Sequence, residues 1–149
     1  MRLQKNTSLA LYSVLEFARD PTRHISAAEI AAKQGASPHH LAKVLAELAR
    51  HGIVESVRGA GGGYRFVGNA RRLTLMDVIA LFEEITPAGP EHPAGTRAEP
   101  VEQALAAVLS EIDENAKATF RSITLATMLS LIDRQQRAAA EPPQGLPQV

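Results

Sequence analysis

"SAAEIAAKQGASPHHLAKVLAELARHG", Ser26 to Gly52, holds two helix starts and two helix stops in one stretch. Ser26 and Glu29 form a capping-box pair: the serine can accept from the amide of residue 29 while the glutamate reaches back. They open a short helix over roughly residues 27–34, which Gly35 stops. Only Gly35 and Ala36 separate it from Ser37-Pro38, an N-cap followed by proline at the first helical position, where a missing N–H costs nothing. Leu41, Val44, Leu45 and Leu48 form the apolar stripe of the second helix, which Gly52 closes. Two helices joined by a tight glycine-containing turn match a helix-turn-helix.

The flanks extend that unit. Upstream, Leu11, Val14, Leu15 and Ala18 recur at helical spacing over roughly residues 8–19, and Asp20-Pro21 ends the run. Downstream, Ile53–Val57 and Tyr64–Val67 are short β-type runs that read as a hairpin. A hairpin directly after the second helix makes the unit a winged helix. Thr74 and Asp77 open a further helix carrying Leu75, Val78, Ile79 and Phe82, ending near Ile85. Residues 86–100, "TPAGPEHPAGTRAEP", have no periodicity and read as a linker and a candidate sensing loop. Two more helices follow: Val101, Leu105, Val108, Leu109, Ile112 and Ala116 stripe the first, and Leu125, Met128, Leu129 and Ile132 the second, with Thr124 as its N-cap. The tail, residues 138–149, is expected to be disordered. The predicted fold is mostly α: a winged helix-turn-helix with a two-stranded wing over residues 1–85, then a C-terminal helical dimerisation segment over 101–137.

The loop inside the hairpin, "SVRGAGGGYRFV" from Ser56 to Val67, admits three readings. A nucleotide-binding P-loop would need Gly-Lys-Ser/Thr and a following helix, but Tyr64 begins a strand. A mobile hairpin turn is the plain reading of the loop alone. The third is a wing tip against DNA. Gly59, Gly61, Gly62 and Gly63 permit a tight turn and leave no Cβ between backbone N–H groups and a phosphate, while Arg58 and Arg65 flank the tip. In such modules the second helix enters the major groove by its N-terminal residues, here Ser37, His39, His40 and Lys43, with Arg50 and His51 on its solvent face.

Charge favours the third reading. The net charge is zero, but residues 1–72 hold eleven Lys/Arg against five Asp/Glu, a balance of +6, and residues 73–149 hold five against eleven, a balance of −6. The first half suits a polyanion and the second does not. A winged helix used for protein–protein contact, the alternative, predicts no such basic half.

The start "MRLQKNTSLAL", the block "SPHHLAKVLAELARHGIVESVRGAGGGYRF", the following "LTLMDVIALFE" and the late "ITLATMLSLI" resemble the Rrf-two family of bacterial winged-helix transcription regulators, which includes IscR, NsrR and CymR. The resemblance covers about residues 1–135, and its most specific motif is the Arg-Gly-x-Gly-Gly-Gly-Tyr wing. It implies that Ser37, His39 and His40 begin the recognition helix and that Arg58 to Tyr64 form the wing. It also implies that the helix after the linker pairs two chains. The stripe Leu105, Val108, Leu109 and Ile112 suits packing within one chain or such a homodimer seam. The implied function is that of a homodimeric regulator, a repressor, reading a pseudo-palindromic operator in double-stranded DNA.

Iron–sulfur members of that family place three cysteines in the segment matching residues 86–105, and this chain has no cysteine at all. Disulfides, thiol catalysis and cysteine-ligated metal centres are therefore excluded. No cofactor and no metal site are expected. His39 and His40 are adjacent, about 100° apart on a helix, and make poor co-ligands. His51 is three turns on, His24 sits in a loop, and His92 stands alone in the linker. A small-molecule effector between the linker and the DNA-binding domain is one expectation, and no effector the other. No catalytic constellation is present, so an enzyme is not expected. No apolar run reaches the ~18 residues of a membrane span, and no signal-peptide pattern opens the chain, which predicts a cytoplasmic protein.

Overall fold

Side-chain caps set where most of the helices begin in the computed structural model, which describes residues 2–85, 97 and 99–142. Helix α1 spans Lys5–Arg19, α2 spans Ala27–Gln34 and α3 spans Pro38–Arg50. The Ser26 hydroxyl accepts from the Glu29 amide at 3.1 Å and the Glu29 carboxylate accepts from the Ser26 amide at 3.2 Å, so the capping box is closed at both ends. Gly35 turns the chain in the left-handed region at φ +62°, and the Ala36 amide returns to the Ala31 carbonyl at 3.0 Å. One residue later the Ser37 hydroxyl accepts from the His40 amide at 3.1 Å and α3 starts. The helix-turn-helix is thus fixed by contacts within a few residues of each turn.

The hairpin follows as β1 (Val54–Val57) and β2 (Gly63–Phe66), antiparallel, with Val54 opposite Phe66 and Val57 opposite Gly63. A third partner lies on the other side of β2. Ile25 donates its amide to the Tyr64 carbonyl and accepts from the Tyr64 amide, both at 2.9 Å. The residue just before the Ser26 cap therefore adds a one-residue strand to the wing.

Helix α4 covers only Leu75–Ile79. Its capping box from Thr74 and Asp77 forms as the sequence predicts, with the Asp77 amide donating to Thr74 at 3.2 Å. The chain then tightens into three-residue turns, Leu81 N–H to Val78 and Phe82 N–H to Ile79, instead of continuing to Ile85. Helix α5 runs Pro100–Ser122 and α6 runs Leu125–Ala140. Helix α1 begins at Lys5, three residues earlier than the apolar periodicity indicates, because its first turn is polar. The alanines at 138–140, assigned to the tail, continue α6. The linker at 86–96, His92 and the tail from 143 lie outside the described residues.

The core gathers one face of every helix in the first half. Phe17, Ile30, Leu41, Leu45, Leu48, Val78 and Ile79 are buried, and Leu125 of α6 joins them. Truncating one such leucine to alanine costs about 2–5 kcal/mol in comparable cores. Backbone bonds fasten the junction of α5 and α6 there: the Leu125 amide donates to Leu73 at 2.8 Å, Ala126 to Ala70 at 2.8 Å, and Leu75 to Ile123, the C-cap of α5, at 2.9 Å. Helix α5 contributes no buried residue. Among the described residues no helix is long and apolar enough to cross a membrane.

Candidate functional site

The burial of Leu41, Val44, Leu45 and Leu48 leaves the opposite side of α3 open. Ser37, Pro38, His39, Lys43, Ala46 and Arg50 are exposed, and 39, 43, 46 and 50 follow the i, i+4, i+7, i+11 spacing of one helix face. His39 and Lys43 therefore share this face near the start of α3, while Ser37 is exposed at the N-cap, in line with Leu41 and Val44. Ala46 and Arg50 extend the face toward its C-terminus.

His40 does not join them. It is half-buried, against Asn6, Val44 and Phe82 around a cavity behind α3. Its Nε2 is shielded from solvent and has no hydrogen-bond partner among the described residues. The 100° step between consecutive helical residues, which separates it from His39, sends it toward the protein. Tyr64 is likewise turned inward from its place in the expected DNA-contact set. Its ring lies 6.3 Å from that of Phe17, tilted by 44°, as part of the core's outer layer.

Electrostatics divide the basic residues. The Glu47 carboxylate receives the Arg50 guanidinium and, at 3.1 Å, His51 Nε2. The Arg50 hydrogen bond is the main reason the Glu47 carboxyl is held below its ordinary value, with His51 adding to it. Arg65 pairs across the strands with Glu55, its register partner. Lys43 and Arg58 are exposed and make no ion pair among the described residues. They are the two cations of the candidate site that are free to meet an anion.

The wing glycines serve two purposes. Gly59 and Gly61, at φ +106° and +76°, shape the tip and have open space around them. Gly62 and Gly63 are required by the chain's own backbone: a Cβ would lie 2.3 Å from the Val57 carbonyl oxygen at Gly62, and 2.6 Å from the Ile25 carbonyl oxygen at Gly63. Close approach of the chain's own backbone accounts for glycine at these two positions.

The C-terminal helices present a different surface. Val101, Leu105, Val108 and Ile112 of α5 are 79%, 57%, 56% and 56% exposed, again spaced i, i+4, i+7, i+11. Leu109, also in the expected seam, is half-buried within its own chain.

A sequence model of the Rrf2 family, described as iron-dependent transcriptional regulators, matches residues 3–131. A Rhodopseudomonas palustris protein named as the HTH-type transcriptional regulator BadM is 48% identical over 145 residues, covering 97% of this chain and 92% of its own. Among solved structures, T. potens IscR superposes with a TM-score of 0.70 at 25% identity, covering 97% of this chain and 94% of that one. CymR, the global cysteine regulator of B. subtilis, gives 0.68 at 26% identity, covering 88% and 98%. These relatives are transcription regulators rather than enzymes, and their winged-helix fold is the one described above. An iron–sulfur cluster does not fit the donors available here. The chain offers no thiolate, and no three His, Asp or Glu side chains converge on a metal position among the described residues.

Proposed function

The chain belongs to the Rrf2 family of DNA-binding winged-helix transcription regulators, and we propose that it acts as a homodimeric repressor reading a pseudo-palindromic operator. The observation that carries this reading is the exposed face of α3, where His39 and Lys43, which makes no ion pair among the described residues, stand one turn apart, with Ser37 exposed at the N-cap. Helix N-terminal residues of this kind reach base edges in the major groove. Arg58, exposed beside an open-space glycine tip, supplies a phosphate or minor-groove contact from the wing. The unpartnered apolar stripe of α5 supports the second chain. Two copies would set their α3 helices about one DNA turn apart, ~34 Å, or a multiple of it. With no thiolate to hold a cluster, the repressor works without iron–sulfur chemistry.

The wing contact is tested by titrating salt against operator affinity, with the operator obtained by selecting bound fragments from genomic DNA. Arg58→Ala should weaken binding to all sequences and lower the slope of log affinity against log salt by about one. Affinity and slope both at wild-type values would remove the wing from the interface.

A further inference from the structure

Behind the recognition face, α3 closes one side of a cavity of about 280 Å³. We propose that this cavity binds a small monocarboxylate with an apolar body, and that the bound acid competes with DNA for Lys43. The proposal rests on the reading that α3 faces DNA.

Three groups there have unused hydrogen-bonding capacity. His40 Nε2 is buried without a partner, a state that native proteins rarely leave uncompensated. The side chains of Asn6 and Lys43, both exposed, also stand on the cavity wall and make no hydrogen bond to other described residues. In the tautomer protonated at Nε2, His40 is a donor, as are the Asn6 amide NH₂ and the Lys43 ammonium, and three donors suit a carboxylate. Val44, Leu81 and Phe82 form an apolar wall for the remainder of the ligand.

Glu47 sets the charge limit. It also lines the cavity, but its carboxylate is already engaged by Arg50 and His51. One ligand charge is matched by Lys43; a doubly charged phosphate would face Glu47 without a second free cation. The volume is at the lower edge of the ~300–1,000 Å³ typical of organic ligand sites, which limits the acid to a small one.

Lys43 belongs to both surfaces. It is exposed on the DNA-facing side and borders the cavity, and its flexible stem lets one ammonium serve either anion. Acid and operator therefore weaken each other by the same factor. The cavity also touches the turn after α4, where the Gln4 amide donates to the Glu83 carboxylate at 3.0 Å, so a ligand there contacts α1, α3 and α4's exit together.

The experiment uses the full chain and four compounds: hexanoate, phenylacetate, hexanol and inorganic phosphate. Binding is read without DNA, by the His40 ring resonances and by thermal shift, and then by operator affinity. At least one of the two acids should shift His40, raise the melting temperature and lower operator affinity about 5- to 150-fold, the usual range of coupling between sites. Hexanol and phosphate should do none of these. His40→Ala and Asn6→Leu should each remove the acid response and keep operator binding. Lys43→Gln should bind operator more weakly and lose any further response to acid. Failure of both acids to bind, or binding unchanged in both His40→Ala and Asn6→Leu, overturns the site. An acid effect on operator affinity that persists in Lys43→Gln overturns the competition. Acid binding at His40 in a protein with no affinity for DNA would instead sink the DNA reading of α3 and leave the cavity site standing.

Discussion

At the scale of single residues, Gly63 is the most constrained position in the wing. A Cβ there meets the Ile25 carbonyl at 2.6 Å and the Ser26 nitrogen at 2.9 Å, with φ at +155°. Gly63→Ala must either break the Ile25–Tyr64 pairing or move the start of α2. It should destabilise the fold by about 1–3 kcal/mol, as strained backbone positions do. Gly59→Ala, with open space and only its φ against it, should cost less. Urea midpoints of the two variants measure the order, and a Gly63→Ala no worse than Gly59→Ala contradicts the packing argument. The sequence makes the glycine cluster legible as a loop, yet not which glycines serve conformation and which serve packing. That difference depends on Ile25, distant in the chain and silent in any local pattern. The inward turn of His40 is a similar case. Its 100° offset from His39 is legible, but which of the two faces the protein is set by Asn6 and Phe82 across the fold.

At the scale of elements, boundaries were readable where local chemistry decides them. Ser26 with Glu29, Ser37 with Pro38, Thr74 with Asp77, and Thr124 all cap the helices their spacing predicts. The ends set by tertiary contact were not: α4 stops at Ile79 although Phe82 continues its apolar stripe. A one-residue strand such as Ile25 has no periodicity to detect. Among the caps, Ser26 has the widest reach, because it opens α2 immediately after the residue that pairs with the wing. Ser26→Ala should cost about 1 kcal/mol through the lost cap. In a chain of this size that is a fall of about 2–4 °C in melting temperature, followed by circular dichroism. A melting temperature equal to wild type would mean that the wing pairing, not the cap, holds the start of α2.

At the scale of the whole molecule, the two C-terminal helices differ in how they are held. Helix α6 is fastened to the first half by Leu125 and two backbone bonds of its own, whereas α5 buries none of its residues and has its backbone tied at its C-cap, Ile123. The stripe on α5 was legible from spacing alone; that Leu109 turns toward its own chain was not. The informative variant is therefore Leu105→Glu with Val108→Glu, which leaves Leu109 in place. Placing these carboxylates in a desolvated seam is expected to cost several kcal/mol of association and yield folded monomers with poor operator affinity. Sedimentation measures this, and a wild-type chain that runs as a monomer at micromolar concentration refutes the seam. If a second copy completes α5, as proposed, a further consequence follows for the cell. Below the dimer's dissociation constant, the amount of competent reader scales with the square of chain abundance, so halving the supply leaves about a quarter of it. The dosage of this regulator's own gene then becomes part of the signal it transmits.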